Sequence, residues 1–279
     1  MISPQRQQRN RDVFGTEQPI ALVTGSGSPR VGRTIARHLA ESGYHAVLHA
    51  DRSIEAAKET CTAWQSEGLS ASMVSGSIED EQAIELWINQ IVQDYGGLHV
   101  VVNSAAIWEP TPLESLNAKA LERQWRINLV GPTVLTRAAG LAMIKQSCGG
   151  AIINIGDAGI NKPYCDFAAY LLSKSAIPAM TRIMARELSQ RNPNVRVSAV
   201  MPGPVLLDDS IPTEKRELIL RQTLLHRTGT PGDVAEAVQY LCEAKFVTGA
   251  ILEVDGGRSF HDPGKDETLA HPTYQPRHV

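Results

Sequence analysis

The chain has 279 residues, 42% hydrophobic and 20% charged, with a formal net charge of −3. That length suits one large α/β domain with a well-buried core, and neither the charge nor any Lys/Arg run points to a nucleic-acid partner. The 4 cysteines (Cys61, Cys148, Cys165, Cys242) lack the paired spacing of a disulfide or zinc framework and fit reduced thiols in a cytoplasmic protein. No apolar stretch approaches the roughly 18 residues of a membrane span, the polar N-terminus has no signal-peptide core, and no His/Cys/Asp cluster has metal-ligand spacing.

Residues 1–18 are polar and without period, and read as a flexible N-terminal tail; residues 261–279, rich in Pro, His and charge, read as a C-terminal tail. The domain between them, residues 19–260, alternates. Ile20-Ala-Leu-Val23 reads as a strand buried on both faces. Val31, Ile35 and Leu39 recur at helical spacing, and Gly43 ends that helix. A strand over 46–50, a helix over 54–67, a strand over 72–74, a helix over 79–95 and a strand over 98–103 follow. A long helical stretch runs from Leu116 to about Lys145. After it come a strand over 151–156, a helix over 167–190, a strand over 195–200, helices over 213–226 and 231–244, and a last strand over 251–254. This βα alternation predicts a single doubly wound, Rossmann-like domain: an about seven-stranded parallel sheet with helices on both faces. In this class ligands sit at the carboxyl ends of the strands, so residues just past each strand matter most.

The first strand runs into Thr24-Gly25-Ser26-Gly27-Ser28-Pro29-Arg30-Val31-Gly32. A glycine-rich turn that opens a helix lets backbone N–H groups and the positive end of the helix dipole meet a pyrophosphate. The bland alternative is a turn that simply needs positive φ. Gly25, Arg30, Val31 and Gly32 are the candidate contacts. The second strand ends His49-Ala50-Asp51-Arg52-Ser53, where a dinucleotide fold meets the adenosine ribose. Arg52 and Ser53 suit a 2′-phosphate and favour NADPH over NADH, provided that Asp51 faces solvent.

Tyr170 and Lys174 are one helical turn apart, on one face. A phenol, with a reference pKa of about 10, becomes a useful acid or base when a neighbouring ammonium stabilises its charged form. Thr24-Gly25 with Gly32, Asn103-Ser104-Ala105-Ala106, Asn128, Tyr170-x-x-x-Lys174 and Pro202-Gly203 stand in the order seen in short-chain dehydrogenases/reductases, which residues 19–260 resemble. The resemblance implies a nicotinamide cofactor and hydride transfer with Tyr170 as proton donor. It implies that Lys174 binds the nicotinamide ribose and lowers the Tyr170 pKa, and that Asn128 helps to hold a proton-relay water. Asn103, Ala105, Pro202 and Gly203 join the implied cofactor contacts, and the implied assembly is a homotetramer with C-terminal residues near a neighbour's site.

Three departures are informative. Asp157 stands thirteen residues before Tyr170, where most members carry Ser; Arg30 displaces a turn glycine; and Trp108 precedes Pro110-Thr111-Pro112-Leu113. Together they resemble pteridine reductases and bacterial dihydromonapterin reductases. There Asp157 would be catalytic and would contact substrate, Trp108 would stack on the pterin, and His49, Arg52 and Ser53 would grip the cofactor. Without the resemblance, Asp157 reads as a turn residue and Trp108 as packing. The expectation is an NADPH-dependent reductase of a C=N or C=O group on a pterin-like heterocycle. The alternatives are a carbonyl reductase of another small substrate and a catalytically silent NADPH-binding regulator.

Overall fold

The computed structural model describes residues 2–207 and 211–261. Seven strands, β1 (Ile20–Val23), β2 (His45–Ala50), β3 (Ala71–Ser75), β4 (Val100–Asn103), β5 (Gly150–Ile155), β6 (Val195–Pro202) and β7 (Ile251–Val254), form one sheet in the order β3-β2-β1-β4-β5-β6-β7. Every neighbouring pair is parallel. Strands β1, β2, β4, β5 and β6 are buried along their whole length, which explains why Val, Ile, Leu and Ala predominate in them.

Helices cover both faces. On one lie α2 (Val31–Glu41), α3 (Ile54–Ser66) and α10 (Pro231–Glu243), whose Ile35, Leu39, Trp64, Val234 and Val238 share a core with β1, β2 and β4. On the other lie α4 (Glu81–Tyr95), α6 (Gly131–Ile144) and α8 (Ile177–Ser189), with Ile84, Trp87, Leu135, Met143 and Leu188 against the opposite side. The chain winds from β1 out to β3, then returns across β1 to β4. The crevice at that reversal, above the carboxyl ends of β1 and β4, is where this architecture takes a ligand.

Two helical expectations change in detail. The long stretch after Leu116 is not one uniform helix: α5 (Ala118–Trp125) passes through a π-helical turn over Arg126–Val130 into α6. That continuous run, Ala118–Ile144, has a window of mean hydropathy 1.4 and is long and apolar enough to cross a membrane. Here it is a core helix, carrying Leu135, Ala139 and Met143 into the second core. The helix expected over 213–226 is shorter, α9 (Thr213–Arg221), and the chain turns at His226 with φ 51°. Between β5 and α8 lies α7 (Ala168–Ser175).

The N-terminal segment overturns the flexible-tail reading. Residues Pro4–Phe14 form α1. Ser3 caps it by accepting from the Arg6 amide, Pro4 occupies the first turn, and Gly15 ends it at φ 72°. Arg6 and Arg9 pair with Glu243 at the end of α10, Asn10 donates to the Glu17 carbonyl at 2.9 Å, and Phe14 is buried edge-on against Tyr44 and His99. The segment looks polar because only its last turn enters the core. The expected C-terminal tail, apart from His261, lies outside the described residues.

Phe14 is 2% exposed. Truncating such a ring costs about 3–5 kcal/mol, so Phe14→Ala should lower the urea midpoint by a corresponding amount. An unchanged midpoint would mean that α1 does not dock.

Candidate active site

The turn after β1 is built for close approach. Gly25 has φ +67°, and a Cβ there would lie 2.7 Å from the Ala105 backbone. A Cβ on Gly32 would lie 2.8 Å from the Gly25 carbonyl oxygen, so both positions need glycine. Thr24 Oγ1 accepts from the amides of Ser104 and Ala105 at 3.0 Å each, which fixes the β4 tip beside the turn. Arg30 is the N-cap residue of α2 and makes no side-chain cap bond, so no side chain of its own caps the first-turn amides from Val31 onward. Such a cradle fits a pyrophosphate. Arg33, which the sequence reading missed, braces the turn by donating to the carbonyls of Ser26 and Gly27. Its place one turn into α2 was the available signal.

Asp51 and Arg52 are exposed at the β2 tip, and Ser53 packs so closely on the turn that a Cβ on Gly27 would lie 2.6 Å from its Oγ. His49 does not join them at the surface. It is 1% exposed: its Nδ1 accepts from the Gly25 amide at 3.2 Å, its Nε2 donates to the Gly76 carbonyl at 3.0 Å, and its ring leans on Trp87. With both nitrogens committed, His49 supports the turn from below instead of touching a cofactor as expected. His49 lies within β2, which is buried along its whole length, whereas Arg52 lies beyond the strand end.

Asn103 is likewise drawn inward. Its Nδ2 donates to Asn154 and Thr136, and Asn154 in turn donates to Thr181, a buried polar ladder between β4, β5 and the helices behind them. Pro202 ends β6, and Gly203 follows it with its amide donating to Val254 at 2.9 Å. A Cβ on Gly203 would lie 2.6 Å from Asp255 Cα, again a backbone-to-backbone approach.

Asn128 occupies the π-helical turn, the widened geometry that brings a buried side chain out of helical register. Its Oδ1 accepts from the Ile107 amide at 2.9 Å, and its Nδ2 serves the Ile107 carbonyl, Gln124 and Ser173. The side chain therefore clamps the loop after β4, leaving its amide no spare donor for a relay water. Farther along that loop Glu109 makes a two-pronged pair with Arg123, at 2.9 and 3.0 Å.

The structure brings Asp157, Tyr170 and Lys174 together. Tyr170 Oη donates to Asp157 Oδ2 at 2.7 Å, and Asp157 Oδ1 accepts from the Gly159 amide at 2.7 Å. Asp157 is thus both the turn residue and the partner of the phenol. Lys174 Nζ donates to the Ile155 carbonyl at 2.9 Å and lies 5.9 Å from the Tyr170 ring centroid. The electrostatic outcome differs from the expectation that Lys174 lowers the phenol. Burial first, then the facing Asp157 carboxylate, push the Tyr170 pKa well above 10. Burial pulls Lys174 down to about 8, with Asp157 opposing. The carboxylate touches the hydroxyl and the ammonium does not, so the near charge adds to the effect of burial.

Trp108 is 60% exposed at the mouth of this site. It stacks on Phe167 with centroids 4.5 Å apart and planes at 12°, and its Nε1 donates to Tyr164 Oη at 3.1 Å. Phe167 and Tyr164 were not anticipated, although both lie in the loop leading into the Tyr170 helix.

A family model described as Enoyl-(Acyl carrier protein) reductase matches residues 29–259. Among similar proteins, a putative ketoacyl reductase 2 of the granaticin polyketide synthase from Streptomyces violaceoruber is 34% identical, covering 86% of this chain and 96% of its own. The 3-oxoacyl-(acyl-carrier-protein) reductase FabG of Staphylococcus aureus is 32% identical, with 85% and 96% covered. The chain belongs to the short-chain dehydrogenase/reductase family. It is an oxidoreductase of that family. The pteridine-reductase likeness rests on Asp157, Arg30 and Trp108 and is not carried by these relatives.

Burial holds His49 at about 4, with the Gly76 bond and Asp51 opposing, and burial also holds His99 at about 4. Both sit below the unfolded value of about 6.5, so between these limits the unfolded chain binds more protons. Stability contributed by the neutral rings is complete above about pH 6.5 and falls as pH drops toward 4, by up to about 1.4 kcal/mol per pH unit for each ring. Urea midpoints between pH 4 and 7 should show this slope, and His49→Gln should reduce it. An unaltered slope in the variant would place His49 in water.

Proposed function

We propose that this short-chain oxidoreductase uses NADPH to reduce a C=O or C=N group borne on a flat ring, with Tyr170 as the proton donor. The observation that carries the reading is the 2.7 Å Tyr170–Asp157 bond, set above a buried Lys174. The glycine cradle of Gly25 and Gly32, with the amides from Val31 onward, would hold the pyrophosphate. Arg52, Ser53 and Arg30 would take the 2′-phosphate, and Lys174 the nicotinamide ribose, with Ala105, Pro202 and Gly203 lining the approach. When bound, the dinucleotide supplies the hydride.

Tyr170 keeps its proton at working pH because its pKa is raised, which suits an acid that releases it only to a developing alkoxide or amide anion. The phenol hydrogen points to Asp157 Oδ2, and it turns to the substrate as negative charge develops on the atom beside the new C–H bond.

The names of the relatives favour a carbonyl substrate. A pterin-like C=N substrate is the second reading, favoured by Asp157, since a carboxyl group suits a heterocycle with N–H donors better than the usual Ser does. We assign the protein to the cytoplasm on its four free thiols. A homotetramer would cover Leu141, Leu172 and Ile183, which stand exposed on α6, α7 and α8.

Tyr170→Phe should lower kcat by at least about 10²-fold while cofactor affinity stays near normal. Turnover near that of the native protein would remove Tyr170 from the mechanism. Arg52→Ala should weaken NADPH by roughly 10- to 150-fold and NADH little, the span of a charged hydrogen bond worth about 1.5–3 kcal/mol. Equal weakening of both would show that Arg52 does not read the 2′-phosphate.

A further inference from the structure

We propose that the hydroxyl of Tyr164 is a second, substrate-selecting donor: it favours flat rings that carry a hydrogen-bond acceptor in addition to the group being reduced. The inference deepens the reductase reading and depends on it only for the identity of the reacting group.

Tyr164 lies against the residues that set the chemistry. A Cβ on Gly159, whose amide binds Asp157 Oδ1, would be 2.7 Å from Tyr164 Cε1. The phenol oxygen already accepts from Trp108 Nε1 at 3.1 Å. That bond fixes the oxygen's position and uses acceptor capacity only. A phenol also has one hydrogen to give, and among the described residues no acceptor is in hydrogen-bond contact with it. Burial, followed by Asp157, pushes the Tyr164 pKa to about 12, so the hydrogen is present throughout the working range.

The surroundings set the shape of the ligand. Phe167 stacks on Trp108 and meets Tyr164 edge-on at 5.4 Å and 63°. Both loops are tied together, since Thr111 forms a bridge with Phe167 and its Oγ1 accepts from the Ala169 amide at 3.1 Å. The result is a fixed aromatic wall with one uncommitted donor, beside a proton donor of the same kind in Tyr170. An extended acyl chain has no use for the flat wall, and a ring with a single carbonyl leaves the Tyr164 hydrogen unmatched. A ring with two acceptors satisfies both phenols.

Isatin and 2-indanone share a fused five- and six-membered skeleton and carry two carbonyls and one, respectively. Their binding to the full chain with saturating NADP⁺, measured by calorimetry, is compared with their turnover, measured as NADPH oxidation. The native protein should bind isatin more tightly than 2-indanone. Tyr164→Phe keeps the ring contacts and should weaken isatin about tenfold, equivalent to about 1.4 kcal/mol, while 2-indanone stays within about twofold. Trp108→Phe, which retains an aromatic face but withdraws the N–H, should show a smaller loss for isatin alone. Equal loss of both probes in Tyr164→Phe would reduce Tyr164 to a clamp between loops. No loss of either, or no binding of either by the native protein, would also overturn the proposal. Selective binding without turnover would leave it standing and overturn the reductase reading instead.

Discussion

The tips of β1 and β4 meet through backbone, and the crevice depends on that contact. Gly25 at φ +67° leaves no room for a side chain against Ala105, and the hydroxyl of Thr24 holds the amides of Ser104 and Ala105. From one side the contact is supported by His49, which reaches from β2 to the Gly25 amide and the β3 end. From the other side Asn128 grips both polar groups of Ile107, so the loop that carries Trp108 leaves the sheet in a fixed direction. The glycine turn and the loop that carries Trp108 are thus two ends of one hydrogen-bonded assembly. A change at either end should be felt at the other.

Charge in the crevice is arranged in sequence from the sheet outward. Lys174 is buried against the Ile155 carbonyl, Asp157 caps the start of the following turn, and Tyr170 bonds the carboxyl instead of the ammonium. Burial first, and the Asp157 carboxyl second, raise the Tyr170 pKa and make it a reluctant acid. The same two causes raise Tyr164, so one carboxyl acts on two phenols.

Much of this was legible in the chain itself. Continuous apolar runs marked the strands because a parallel sheet covered on both faces tolerates little else, and β1 and β7 were placed to the residue. Position after a strand identified the glycine turn that opens α2 and the helix that carries Tyr170. What escaped has physical reasons. Helix α1 shows almost no apolar period, and its signal lay instead in the Ser3-Pro4 start and the Gly15 stop, cues of capping and not of burial. The π-helical turn at Asn128 leaves no mark in periodicity, since it adds one residue to a turn and the apolar pattern simply resumes. His49 reads as a cofactor contact because it is near Arg52 in the chain, whereas it lies inside β2, whose residues are all buried, and Arg52 lies beyond the strand end.

The aromatic wall shows a different limit of sequence reading. Trp108 and Phe167 are far apart in the chain, on loops after different strands, yet they stack with planes 12° apart. No local pattern predicts such a pairing; it follows from the register that sets β4 beside β5 and from the Thr111–Phe167 bridge that joins the loops above them. Loops after neighbouring parallel strands are bound to meet over the crevice. In this chain the contacts between those loops are aromatic stacking, the Trp108–Tyr164 hydrogen bond and the tie from Thr111 to Ala169, and together they hold the rings in place beside Asp157 and Tyr170.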